Sequence, residues 1–104
     1  MPVVVVIRLR ADDASLADRA RDLLGALQAR PGFLGGSVAT AVDDEGGVAL
    51  VARFVDLGSW RRALGAADVK LVATPLLGAA AETVGTYEVI DDARPGPEAV
   101  RVRR

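Results

Sequence analysis

The stretch Val48-Ala49-Leu50-Val51-Ala52-Arg53-Phe54-Val55-Asp56 decides the fold. Successive side chains of a β-strand point to opposite faces of its sheet. Val48, Leu50, Ala52 and Phe54 share one face; Ala49, Val51 and Val55 share the other with Arg53, the one charge before Asp56. A strand apolar on both faces needs cover on both. The helices that a chain of 104 residues can form cover one sheet face. The second face therefore calls for a second subunit, a ligand, or both.

Upstream of that strand, Val3 to Arg10 is a β-branched run, with Val3, Val5, Ile7 and Leu9 on one side and Val4, Val6, Arg8 and Arg10 on the other. Arg8 shares a face with valines, so it is either a strand-end arginine reaching solvent or an anchor for an anion or phenolate in a cavity. Asp12, Asp13 and Ser15 are candidate helix caps, and Ser15-Leu16-Ala17-Asp18 has the form of a capping box. Leu16, Ala20, Leu23, Leu24 and Leu27 then recur at helical spacing, opposite the charges of Asp18, Arg19, Arg21 and Asp22. Gly25 weakens this helix and Pro31-Gly32 ends it. Phe33 to Val42 reads as the second strand, with Leu34, Val38 and Val42 on one side. Its paired Gly35 and Gly36 imply a bulge or the close approach of another backbone. Asp43-Asp44-Glu45-Gly46-Gly47 makes the hairpin turn. Its three acids are contiguous rather than alternating, so it lacks the pattern of a calcium loop, and no metal site is expected.

Downstream, Leu57 to Leu64 reads as a helix with Trp60 and Leu64 on one side, interrupted at Gly65. Asp68 can cap a continuation carrying Val69, Leu71 and Val72. Thr74 can cap a further helix, Leu76 to Ala81, with Pro75 in its first turn. Val84 to Ile90 is the last strand, with Val84, Thr86, Glu88 and Ile90 opposite Gly85, Tyr87 and Val89. Residues 1–92 thus form one domain and 93–104 a tail. Within the tail Arg94-Pro95-Gly96-Pro97 is a linker. Ala99-Val100-Arg101-Val102-Arg103 alternates, so the tail is either flexible or an edge strand on a partner subunit.

Composition excludes several chemistries. There is no cysteine, hence no disulfide, thiol nucleophile or thiolate metal site. There is no histidine either, which removes the commonest general base and the commonest haem and zinc ligand. A net charge of -1 gives no general attraction for nucleic acid or anionic membrane. No run approaches the roughly 20 apolar residues of a transmembrane helix. The apolar start lacks a basic leader and reaches Arg8 too soon for a signal sequence, which implies a cytoplasmic protein.

The element order is that of an α+β, ferredoxin-like βαββαβ domain with an antiparallel sheet and its helices on one face. The bare apolar face is then expected to pack on that of a second copy, giving a homodimer in the form of a dimeric α+β barrel.

Over residues 3 to 91 the chain resembles the antibiotic biosynthesis monooxygenase (ABM) domain family. The likeness rests on Arg30-Pro31-Gly32-Phe33, the hairpin into Val48–Phe54, and Ser59-Trp60-Arg61-Arg62-Ala63-Leu64. Asp68-Val69-Lys70, Thr74-Pro75-Leu76-Leu77 and Tyr87-Glu88-Val89 extend it. The resemblance implies oxidation of a polycyclic phenol or anthrone by molecular oxygen in an apolar cavity, without a cofactor, since the deprotonated substrate itself reduces oxygen. It also places an asparagine of the family at Leu50, a tryptophan at Phe54, a conserved aromatic at Trp60 and a histidine or arginine near Thr74. The haem-degrading members carry an asparagine in strand one, and this chain contains no asparagine at all. Trp60, Tyr87 and Thr74 are accordingly the candidate catalytic residues, with Arg8, Leu50, Arg53, Phe54 and Trp60 as substrate-binding candidates. Tyrosine or a carboxylate would have to serve as base. The alternative reading is a non-catalytic dimeric module of the same fold that binds an apolar aromatic molecule.

Overall fold

Alternating apolar residues assemble four strands into one antiparallel sheet, in the computed structural model that describes residues 1–101. The strands are β1 (Val3–Arg10), β2 (Phe33–Thr40), β3 (Gly47–Phe54) and β4 (Ala81–Glu88), in the order β2-β3-β1-β4. Central β1 and β3 place Ile7 opposite Leu50 and Val5 opposite Ala52, all buried. Helices α1 (Leu16–Gln28), α2 (Leu57–Gly65) and α3 (Ala67–Ala80) cover this face. The core is therefore one layer between sheet and helices: Val3, Val5, Ile7 and Leu9 from β1, Val48, Leu50, Ala52 and Phe54 from β3, and the apolar stripes of the helices. The expected ferredoxin-like α+β arrangement is the observed one.

The stripe Leu16, Ala20, Leu23 and Leu27 of α1 is buried as its spacing requires. Of the three candidate caps, Asp13 supplies the side-chain bond, although Ser15 occupies the position next to the first helical residue. Ser15 already has helical backbone angles and makes no side-chain cap bond. The Asp13 carboxylate accepts from Ser15 N at 2.8 Å, and the same bond holds the Asp13 carboxyl below its ordinary pKa.

The paired glycines of β2 do produce a bulge. Phe33 lies opposite Phe54 and Gly35 opposite Arg53, so Leu34 is the extra residue and is exposed. After it, Gly36 and Val38 face the helices rather than Leu34 and Val42. Gly36 also admits α1: a Cβ there would lie 2.8 Å from Leu24 Cδ1 and 2.7 Å from the Val51 carbonyl oxygen. The strand ends at Thr40, and Val42 is wholly exposed beyond it.

Asp56 starts α2 in extended conformation, and its carboxylate accepts from Ser59 N at 2.7 Å. That bond holds the Asp56 carboxyl below its ordinary 3.8. A depressed carboxylate pKa contributes stability above the unfolded-state value and loses it as pH falls through the folded value. Asp56→Asn is therefore expected to flatten the loss of stability below about pH 4, where the native carboxylate protonates. Asp56→Ala should lower the thermal midpoint by a few degrees at pH 7. Thermal melts of the three proteins across pH 3 to 7 measure both.

Gly65 ends α2 as its sequence suggests, and extended Ala66 turns the chain by 83° into α3. The second expected break does not occur. Pro75 lies inside α3, which runs unbroken to Ala80. Its missing N–H leaves the Leu71 carbonyl without a helical donor. Leu71 is 79% exposed, so water can serve that group. With α3 continuous, Val69, Ala73, Leu76 and Ala80 form its buried stripe and Leu71 points outward. Because α3 feeds directly into β4, that strand begins at Ala81, three residues earlier than expected, and ends at Glu88. No single helix is long and apolar enough to cross a membrane. Beyond β4 the chain carries no regular structure until a short 3₁₀ helix, Pro97–Arg101. The alternating segment 99–103 therefore begins in helical rather than extended backbone here, and its last two positions lie outside the described residues.

Candidate cavity beneath helix α2

Arg30-Pro31-Gly32-Phe33 is the joint that sets α2 on the sheet. Gly32 has φ +88°, and a Cβ on it would fall 2.5 Å from Ser59 Oγ in the first turn of α2. The Gly32 carbonyl accepts from Val55 N at 2.9 Å, tying the same joint to the end of β3. Phe33 then meets Phe54 edge-on with ring centroids 5.6 Å apart, and Phe54 meets Trp60 at 5.6 Å. This aromatic chain fixes Trp60, which is 3% exposed.

Leu57, Trp60, Arg61 and Leu64 recur at helical spacing along one side of α2. That side stands over the Val3 end of β1 and over Thr86 and Glu88 of β4, bordering a cleft of about 460 Å³ that is open to solvent. The volume lies within the roughly 300–1,000 Å³ usual for small-molecule sites. Its walls are Val3, Leu57, Leu64 and the Trp60 indole; Thr86, Glu88 and Arg61 add the polar groups. Arg61 and Glu88 are exposed, and neither is in an ion pair among the described residues. Neighbouring Arg62 is differently engaged, donating to Ser59 Oγ at 3.2 Å. A carboxylate outside any ion pair is free to accept a hydrogen bond from a bound hydroxyl.

Of the residues singled out in the sequence, Trp60 lines this cavity. Phe54 and Leu50 lie behind it, both fully buried on the helix side of β3. Tyr87, Arg53 and Arg8 are on the opposite, open face of the sheet. Tyr87 is 60% exposed and lies along β4 over Gly85, whose added Cβ would fall 2.9 Å from the tyrosine ring and hydroxyl. Arg53 pairs with Asp92 at 3.2 Å. Arg8 borders a recess of only about 110 Å³ that it shares with Asp44 and Glu82. That recess is too small for an aromatic ring system, and its two carboxylates oppose an anion. Thr74 is exposed within α3 and caps nothing. Strand alternation separates Glu88 from Tyr87, so parity in β4 is the signal that points to Glu88. Helical spacing from Trp60 is the signal that points to Arg61. No cluster of potential metal ligands occurs among the described residues.

No family model matches the chain, and no curated protein matches it. Solved structures do share its architecture. SnoaB, a cofactor-independent oxygenase from Streptomyces nogalater, aligns with a TM-score of 0.76 at 20% identity, over 88% of this chain and 95% of that one. Rv0793 from Mycobacterium tuberculosis aligns at 0.78 with 16% identity, over 90% and 100%. A Chloroflexus aurantiacus J-10-fl protein provisionally named antibiotic biosynthesis monooxygenase aligns at 0.73 with 15% identity, over 92% and 100%. At such identities the likeness is one of fold. The chain has the ferredoxin-like α+β fold that these structures share.

Proposed function

We propose that this protein is a cofactor-independent monooxygenase acting on an electron-rich polycyclic aromatic of the anthrone or quinol type. The observation that carries the reading is the apolar cleft of Leu57 and Leu64, backed by Trp60, with an unpaired carboxylate, Glu88, at its edge. Leu57 and Leu64 would pack on the ring system, with the nearly buried Val3 and Trp60 closing the wall behind them. Glu88 would take a proton from the acidic CH2 of an anthrone, leaving a delocalised carbanion. That anion gives one electron to O2, and the resulting radical pair joins as a peroxide on the same carbon. Loss of water from the peroxide forms the ketone. One oxygen atom stays in the product and the other leaves in water with both hydrogens of the CH2, so no outside reductant is needed. The fold's likeness to a cofactor-independent oxygenase supports this reading.

An oxygen electrode with anthrone tests it. Uptake above the protein-free blank, one O2 per quinone formed, is expected. Glu88→Gln should reduce the rate by about 10²-fold, the usual scale for losing a general base. Trp60→Phe should raise KM while the fold, followed by circular dichroism, holds. No uptake above the blank, or full activity in Glu88→Gln, overturns the assignment. One observation favours the second reading, a binding module. Leu50 and Phe54 present no hydrogen-bond donor from β3, where an oxyanion would need one. Saturable quenching of Trp60 by an aromatic ligand without oxygen uptake would establish that reading.

The open face carries the proposal of a homodimer. Val4, Val6, Ala49 and Val51 are half-buried there even in the single chain, and a second sheet would complete their cover. Tyr87, Arg8 and Arg53 would then belong to the contact between copies rather than to the cavity.

A further inference from the structure

Charge enters the cavity through two groups, and both are unspent. Arg10, Arg19, Arg21, Arg30 and Arg53 each lie against a carboxylate. Arg61 does not, although it stands on the cavity side of α2 one residue from Trp60. Glu88 faces the same space from the end of β4 and is equally unpaired among the described residues. A guanidinium and a carboxylate that share a cavity without joining each other can be bridged by a ligand that offers an acceptor to one and a donor to the other. We infer that the cavity selects an aromatic hydroxy acid, its carboxylate held by Arg61 and its ring hydroxyl donating to Glu88. The planar guanidinium matches a carboxylate with two parallel N–H···O bonds. A ring entering between Leu57 and Leu64 would also displace water from around Arg61 and strengthen that contact. The inference rests on the proposed reading of this cavity as the substrate site, and it names the class of substrate.

Trp60 is the single tryptophan of the chain, so its emission reports this cavity directly. The test is a fluorescence titration with two ligands of equal size, 6-hydroxy-2-naphthoate, whose hydroxyl is too far from its carboxylate to bond to it, and its neutral amide, 6-hydroxy-2-naphthamide. The wild-type protein should bind the carboxylate about tenfold more tightly, the scale of one charge-assisted bidentate contact at a partly exposed site. Arg61→Gln should abolish that preference while leaving amide binding in place, and Glu88→Gln should retain it. Both residues are exposed, so neither variant should perturb the fold, and circular dichroism checks this. Equal affinity for the two ligands, a preference that survives in Arg61→Gln, or no saturable quenching by either ligand overturns the inference. The titration does not depend on turnover. A carboxylate preference that Arg61→Gln removes, with no oxygen uptake from any substrate, sustains the recognition and overturns the oxygenase. Anthrone oxidation without a carboxylate preference does the reverse.

Discussion

Gly32→Ala should destabilise the protein by roughly 2–4 kcal/mol, combining a left-handed backbone forced on an L-residue with overpacking of a tight contact. The Gly32 φ of +88° lies where a side chain is strained whatever the surrounding space. The space is absent too, because the new methyl would sit 2.5 Å from Ser59 Oγ and 2.6 Å from Ser59 Cβ. Ser59 is itself buried at the start of α2, so it cannot swing away without moving that helix and Trp60 with it. Gly25→Ala provides the contrast. Gly25 is a helical, exposed residue with open space around it, and alanine there should stabilise by about 0.5–1 kcal/mol. Adding Ser59→Gly to Gly32→Ala should relieve the clash with Ser59 but not the backbone strain or the 3.0 Å approach to Val55 Cγ2, leaving at least about 1–2 kcal/mol of the loss. Urea unfolding at one protein concentration measures all three. An unchanged midpoint in Gly32→Ala would show that the joint yields and does not fix α2.

Much of this architecture is legible because period-2 alternation is strong in β1 and β3, the two central strands. The buried and open faces of both strands follow directly from parity. The bulge in β2 is also announced, by Gly35 and Gly36, but its consequence is not. One extra residue at Leu34 flips the parity behind it, so reading Leu34, Val38 and Val42 as one face fails at its first member. Pro75 misleads for a different reason. Proline costs a helix one hydrogen bond, and whether the helix survives depends on whether water reaches the freed carbonyl. That is a property of the exposed Leu71 turn in three dimensions, invisible in the local sequence. Asp12, Asp13 and Ser15 all suit the cap of α1 by residue type, and only backbone geometry selects Asp13 as the one whose side chain bonds there.

Of the candidate cavity, Trp60 is legible in the sequence and the charged edge is not. Trp60 is picked out by helical spacing, and it lines the cavity. Tyr87 and Arg8 attract attention as polar residues among apolar strands, yet parity sets both on the open face with Val4 and Val6. Glu88, one residue from Tyr87, is on the cavity side because it lies opposite Val3. Residue chemistry alone favours the tyrosine; register favours the glutamate. Register is the better guide, since a one-residue step carries a side chain across the whole thickness of the sheet.

Val51→Glu is expected to leave each chain folded and to abolish association of two copies, if the open faces pair as proposed. Val51 lies directly opposite Val6 in the two central strands, on the face without helices. In the isolated chain a glutamate there would remain half in water and cost the fold little. Between two sheets it would be an unpaired buried charge, at about 3–5 kcal/mol, and two-fold symmetry would place a second one nearby. The dissociation constant should therefore rise by at least about 10²–10⁴-fold. Sedimentation velocity over a hundredfold concentration range reads this directly, with circular dichroism as the check on folding. A wild-type protein that sediments as a monomer throughout would show that no second copy covers this face. The same variant separates assembly from ligand binding. The cavity under α2 is built from β1, β4 and α2 of one chain, on the other side of the sheet from Val51. A monomeric Val51→Glu protein should thus still show Trp60 quenching by an aromatic ligand. Loss of quenching on dissociation would mean that the partner copy shapes the cavity through the sheet.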